Sequence, residues 1–249
     1  MKATTRQSIL QVLGMVRMAF RYGDELPGPG DGASETLFRL PFEGAWVVLN
    51  GGVTEATSHS WDVWGQRYAY DFVVADGGAT FSGDPADVHS YFCYGLPVLA
   101  PADGVVAEAR DGDPDTPPAL DGTVGCAGGD IRGNHVVIRH ASGEHSTLAH
   151  LAPGSVCVRP GQEVRAGDVI GRCGSSGNSS EPHLHLHMQA GASFYTSPGV
   201  PVRFTGIEAE RVSNYGKLDP RPQPNDPLAA FPPFLTRGLL VRNTSGGRR

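Results

Sequence analysis

The sequence predicts a mainly β protein: a compact antiparallel β-sheet domain led by one N-terminal amphipathic helix. Three observations carry this. The chain holds 34 Gly and 20 Pro among 249 residues. From Leu37 onward its apolar runs are short and broken by Gly, Pro, Asp and Asn, as many short strands joined by turns require. Two runs, Tyr68-Ala69-Tyr70-Asp71-Phe72-Val73-Val74 and His183-Leu184-His185-Leu186-His187, have the two-residue period of strands. Helical periodicity is confined to the N-terminus, where Ile9, Leu13, Val16 and Phe20 fall on one face.

Taken in order, residues 5–22 form that helix, whose apolar face is expected to pack on the domain or, failing that, on a partner or a membrane surface. Residues 23–35, with Pro27-Gly28-Pro29-Gly30-Asp31-Gly32, are a linker, so the chain divides into 1–35 and a domain over 36–249. Leu37–Leu40, Ala45–Leu49 and Tyr68–Val74 read as strands, the last with Tyr68, Tyr70, Phe72 and Val74 on one face and Asp71 on the other. Residues 75–92 are a long polar excursion, the kind of loop that is either functional or a simple insertion. Pro97–Val106 is strand, turn, strand. His135–His140 and Glu144–Leu151 make a hairpin around Ala141-Ser142-Gly143. Gly161–Gly171 is a further strand–turn–strand unit, and Ser175–Pro182 is a turn-forming loop leading into the histidine strand. Residues 200–249 add short strand-like runs (Val202–Phe204, Leu239–Val241) among Pro-rich loops.

Bulk properties exclude several functions. The formal net charge of −6 offers no global basic field for nucleic acid. No apolar run reaches the roughly 18 residues of a transmembrane helix. Gln11 and Arg17 interrupt the N-terminal apolar stretch and no small-residue cleavage site follows, so no export signal is legible. The four cysteines, Cys93, Cys126, Cys157 and Cys173, contain no C-x-x-C pair, which argues against a cysteine-built zinc site. Cys157 and Cys173 flank a hairpin and could face each other, as a disulfide or as reduced thiols.

The chemistry concentrates in His183–His187. On a strand the three imidazoles point one way and the two leucines the other, sealing the segment onto a core. Three aligned imidazoles are hard to explain as packing, whereas imidazole nitrogen is a common zinc ligand and proton carrier. His185 is a good ligand, with His183 on the same face. Asp71 is a carboxylate in an otherwise apolar strand and needs a cation or donors there. His150 ends the run Ser146–His150, sharing a face with Ser146 and Leu148. His135, His140 and His145 on the hairpin and His89 in the long loop are expected at the surface.

An ordered set of segments resembles the M23 zinc metallopeptidases, the lysostaphin and LytM-like endopeptidases. They are Tyr94–Gly104, Gly133–Ile138, Ser146–Leu151, Gly161–Gly171, Gly177-Asn178 and Pro182–His185, and the resemblance spans about residues 65–190, leaving 191–249 as a C-terminal extension. It implies a compact antiparallel, barrel-sandwich-related fold with one Zn(2+) at the end of a groove, and hydrolysis of peptide bonds in peptidoglycan crosslinks or stem peptides. Carried over by position, Asp71 and His185 are metal ligands, while His183 and His150 are the catalytic histidines that handle the water proton and steady the oxyanion. One departure stands out: the family's histidine ligand, four residues before the aspartate, is here Arg67, which is always protonated and cannot ligate. His59, twelve residues before Asp71, is the nearest upstream histidine, and a Gln-Arg-Tyr-Ala-x-Asp segment with such a histidine is similar to a divergent branch, implying His59 as third ligand. His187, Arg67 and Asn178 are placed around the site as supporting or substrate contacts.

Two other readings remain. A degenerate M23-like domain would bind peptidoglycan or a partner without cleaving it, motivated by Arg67. Glu163–Gly171 also resembles the hairpins of lipoyl and biotinyl carriers, but the chain's two lysines, Lys2 and Lys217, are remote from it. The resemblance implies action outside the cell or in a cell wall, while the absence of a legible export signal leaves a cytoplasmic location open.

Overall fold

The computed structural model describes residues 3–23, 25–119, 121 and 123–244. It contains α1 (Ala3–Tyr22) and fifteen short strands. Ahead of the site lie β1 (Leu37–Phe38), β2 (Trp46–Asn50), β3 (Tyr70–Val73), β4 (Pro97–Leu99), β5 (Gly104–Arg110) and β6 (Gly125–Cys126). The hairpin strands are β7 (Asn134–Arg139) and β8 (His145–Leu151), followed by β9 (Glu163–Val164), β10 (Val169–Arg172), β11 (Asn178–Ser179) and the histidine strand β12 (Leu184–Gln189). β13 (Arg203–Phe204), β14 (Ile207–Arg211) and β15 (Leu239–Asn243) complete the chain.

Nine strands form one antiparallel sheet in the order β14-β15-β2-β3-β12-β8-β7-β5-β9. Neighbouring side chains alternate across it, so its two faces diverge in chemistry. Leu184, Leu186 and Met188 of β12 enter the main core with Tyr70 and Phe72 of β3, Leu148 of β8, Ile138 of β7 and Leu239 of β15. Phe38, Phe42, Val98, Ile170 and Phe204, from outside the nine strands, close over that face. Each fully buried Leu or Phe contributes about 2–3 kcal/mol, which fixes the register of β12 and with it the opposite face, where His185 stands across from Asp71.

The expected fold class holds, with local differences. The 163–171 unit does supply two strands, but they part: β9 pairs with β5 and β10 with β4. Cys157 sits against Val169, its Sγ donating to that carbonyl, and all four cysteines are free, so no Cys157–Cys173 disulfide forms. β14 was not legible, because Ile207–Arg211 carries three charged residues and stands half in solvent.

The histidines of the hairpin are buried, against expectation. His135 Nδ1 donates to the Gly133 carbonyl and its Nε2 meets Glu108; His140 is bound to the Asp103 carbonyl and to Ser146 Oγ and lies edge-on to Phe38. His145 is 7% exposed. For His135 and His140, close hydrogen-bond partners make burial of the imidazole tolerable. His89 is exposed, as expected.

The helix is present, but turned. Ile9, Val12, Leu13, Val16 and Phe20 are exposed, while Gln7, Gly14 and Met18 on the opposite side face the domain. Gln7 Oε1 accepts from Ile131 N at 3.1 Å. At Gly14 an added Cβ would lie 1.9 Å from the Tyr195 carbonyl oxygen, so the helix approaches through its glycine and the bulky apolar face cannot. No helix among the described residues is long and apolar enough to cross a membrane.

Candidate metal centre and groove

Asp71 is buried on β3 among imidazoles. His185 Nδ1 lies 2.8 Å from its Oδ1, His59 Nε2 lies 3.4 Å from its Oδ2, and His183 Nε2 lies 3.6 Å from Oδ1. Two overlapping trios place their ligating atoms within 4.8 Å of one another: His59, Asp71 and His185, and His150, His183 and His185. The five side chains line one groove of about 320 Å³, together with Asn50, Gln66, Arg132, Asn178 and Phe194, and with Gln11 from α1.

His59 reaches the centre on a loop tied to itself. Ser58 Oγ donates to the Arg67 carbonyl at 2.7 Å and Ser60 Oγ to that of Gln66 at 2.6 Å, so the two hydroxyls beside His59 clamp both strands of the loop. Arg67 points away from the groove. Its Nε donates to the Trp61 carbonyl at 3.0 Å and its guanidinium lies 4.6 Å from the Trp61 ring and 5.9 Å from the Trp64 ring. It braces the loop that carries His59.

His150 is turned into the groove by its backbone. With φ at 62° it is the non-glycine residue of positive φ among those described. Regular alternation would put it on the face of Ser146 and Leu148, the face expected from its spacing, and Leu148 points into the core. The left-handed turn and a register shift between β7 and β8 reverse the frame, so Leu151 enters the core and His150 faces His183, with ring centroids 4.7 Å apart. Such strain costs on the order of 1 kcal/mol or more and points to a functional position. Its Nδ1 donates to the Ser176 carbonyl at 2.7 Å. The Ser176 loop lies close because Gly133 and Gly177, at φ +59° and +78°, touch: a Cβ on Gly177 would sit 2.3 Å from Gly133 N.

His183 is oriented in the same way, its Nδ1 donating to the Glu181 carbonyl at 2.7 Å. In both residues the Nδ1–H is used on the backbone, so Nε2 presents a lone pair to the groove. His187 Nδ1 lies 3.0 Å from His185 Nε2. The Asp71 carboxylate can only accept, so His185 Nδ1 donates to it and His185 Nε2 accepts from His187 Nδ1. Asn178 is exposed on the rim, its backbone N–H donating to the Ile131 carbonyl.

Protonation follows burial. Burial lowers His150 well below its ordinary value, and neighbouring His183 and His185 add to this. Burial also lowers His59, opposed by Asp71 and reinforced by His185 and His183. At Asp71 burial pushes the carboxyl up, but His59, His183 and His185 more than offset it and hold it well below the usual range. His59 and His150 are therefore held as neutral imidazoles near one buried carboxylate, and imidazoles with a carboxylate are a donor set that fits a divalent cation. Asn50, Gln11 and Phe194 were missed from sequence; nothing in their local spacing marks them.

Residues 90–196 match Peptidase family M23. The chain is 41% identical over 92 residues to the DD-carboxypeptidase/endopeptidase Mpg of Neisseria meningitidis, covering 36% of this chain and 16% of Mpg. It is 36% identical over 95 residues to the cell division protein DipM of Caulobacter vibrioides, covering 38% of this chain and 13% of DipM. It thus spans less than a fifth of the length of these relatives. A zinc containing peptidase from Vibrio cholerae aligns at a TM-score of 0.40 and 20% identity, over 66% of this chain and 39% of that one. Residues 90–196, under half of the chain, are thus similar to peptidase family M23, the family that the order of the motifs implied.

Proposed function

We propose that this chain is a zinc-dependent endopeptidase that hydrolyses peptide bonds in peptidoglycan crosslinks or stem peptides. The observation that carries the reading is the convergence of His59, Asp71, His150, His183 and His185 on one groove, with ring nitrogens turned inward. His59, Asp71 and His185 would hold the metal, two imidazoles and a carboxylate being a donor set found in hydrolytic zinc sites. Zinc bound there supplies Lewis acidity, lowering the pKa of water to about 7 and polarising a carbonyl.

The chain's own residues do the rest. His183 Nε2, its ring locked by Glu181, accepts the proton of the attacking water and returns it to the leaving amine. His150, locked by Ser176, stands beside His183 with its Nε2 lone pair toward the groove, where it accepts a hydrogen bond from the attacking water and orients it. His187 steadies the ring of His185 through its Nε2. Arg67 braces the His59 loop, and Asn178 on the groove rim contacts substrate. Residues 36–249 are the peptidase unit, with 1–35 as an appended helix and linker.

Relatives named peptidoglycan DD-endopeptidase ShyA and DD-carboxypeptidase/endopeptidase Mpg support the substrate class. The nearness of His59 to Asp71 favours the enzymatic reading over a domain that binds without cleaving, because Arg67 alone motivated that alternative. The test is release of soluble muropeptides from purified peptidoglycan, with and without a zinc chelator. Cleavage that the chelator abolishes and zinc restores is expected. No cleavage by a zinc-loaded chain on any crosslinked substrate would overturn the reading.

A further inference from the structure

Asp71 is the end of a chain of polar contacts that runs through β2 to the C-terminal extension, with every member, Asp71 included, outside the family-matched segment. Asn50 on β2 stands opposite Asp71 in register, after a bulge that re-aims the strand end. Its Nδ2 donates to Asp71 Oδ2 at 2.9 Å, and its Oδ1 accepts from Arg221 Nη2. A guanidinium can only donate and a carboxylate can only accept, so the amide between them has one orientation. Arg221 is itself gripped by Asp219, through Nε to Oδ1 at 2.9 Å and Nη2 to Oδ2 at 2.8 Å. Asp219 is buried and also accepts from Arg237 Nη1 and the Tyr215 hydroxyl, each at 2.9 Å. None of Asn50, Tyr215, Asp219, Arg221 and Arg237 lies in residues 90–196.

We infer that Asn50 and Arg221 are positioning residues for Asp71, an inference that rests on Asp71 being a metal ligand. Asn50 takes one carboxylate oxygen and sets the rotamer, leaving Oδ1 facing His185. It also stands between an arginine and a carboxylate that would otherwise pair directly and draw Asp71 out of the ligand set. Arg221 acts through Asn50 by fixing which end of the amide faces Asp71, and the Asp219 anchor holds Arg221 in place.

The experiment is zinc affinity of the full chain by competition with a chromophoric chelator, beside the thermal midpoint of each metal-free protein. Asn50→Ala is expected to bind zinc about 10–100-fold more weakly. Arg221→Ala weakens binding several-fold, and Arg221→Lys, which still donates to the amide oxygen, recovers most of the loss. Because Arg221 acts through Asn50, the double variant binds no more weakly than Asn50→Ala alone. Cobalt(II) loaded into Asn50→Ala shows altered d–d absorption, a signature that general loss of stability does not give. Parent-like affinity in Asn50→Ala, or losses that multiply in the double variant, would overturn the inference. If Asn50→Ala fails to fold, the half-exposed Arg221 pair still decides it: equal affinity of Arg221→Ala and the parent overturns it. A parent chain that binds no zinc would instead overturn the ligand role of Asp71 itself.

Discussion

Arg67 occupies the position where the family resemblance implied a ligand, and replacing it tests what it does instead. Its Nε donates to the Trp61 carbonyl at 3.0 Å, and its guanidinium lies 4.6 Å from the Trp61 ring. A hydrogen bond from a charged donor contributes about 1.5–3 kcal/mol and a partly exposed cation–π contact about 0.5–1 kcal/mol. Since Arg67 is partly exposed, about 2 kcal/mol is the working figure for Arg67→Ala, roughly a 30-fold shift in the ordering of the loop. That loop carries His59 and is otherwise held by the two serine hydroxyls, short turns and one bond from Gly199 N to the Trp64 carbonyl, so losing the Arg67 contacts loosens it. Zinc affinity should therefore fall by up to about 30-fold although no ligand has been removed, and cleavage at saturating zinc should return toward the parent rate. Chelator competition measures the first and muropeptide release the second. Unchanged zinc affinity in Arg67→Ala would refute the bracing role.

Other expectations follow from particular contacts. His183→Ala keeps its zinc and loses cleavage by 10²-fold or more, on the order of a general base; full activity would remove it from the mechanism, while His185→Ala should lose the metal. Leu186→Ala, on the buried side of the histidine strand, costs about 2–5 kcal/mol in urea unfolding; a change below 1 kcal/mol would contradict the packing described. Burial lowers His150 and His187 well below their ordinary values, so both are neutral when folded and take up protons on unfolding below about pH 6.5. The metal-free protein should therefore lose stability as pH falls through that value, by up to about 3 kcal/mol per pH unit for the two together; a flat or rising urea midpoint between pH 7.5 and 5.5 would contradict this. Gly177→Ala, whose Cβ would lie 2.3 Å from Gly133 N, should displace the Ser176 carbonyl from His150 and lower cleavage more than zinc occupancy; wild-type turnover would show that this backbone contact is dispensable.

The sheet was legible where side-chain alternation is strict. Leu184 and Leu186 against His183, His185 and His187 announced both the buried side and the chemical side of β12, and Phe72 against Asp71 did the same for β3. The hairpin histidines were not legible, because the bonds that make burial tolerable come from distant residues, Asp103 for His140 and Glu108 for His135. His150 was named from the resemblance, but its face was misjudged, since alternation cannot reveal a positive φ. The helix defeated periodicity in a different way: its apolar stripe is real, yet Gly14 decides which side can approach Tyr195. Asn50 and Arg221 left no trace, because they meet across 171 residues of chain.

Bound zinc per purified chain, measured for the parent and for His59→Ala, tests the central claim most directly. Close to one zinc in the parent and essentially none in His59→Ala is predicted, with Asp71 and His185 unable to hold the metal alone. Zinc retained in full by His59→Ala would contradict the ligand set, and none in the parent even after zinc is supplied at neutral pH would contradict the metal centre altogether.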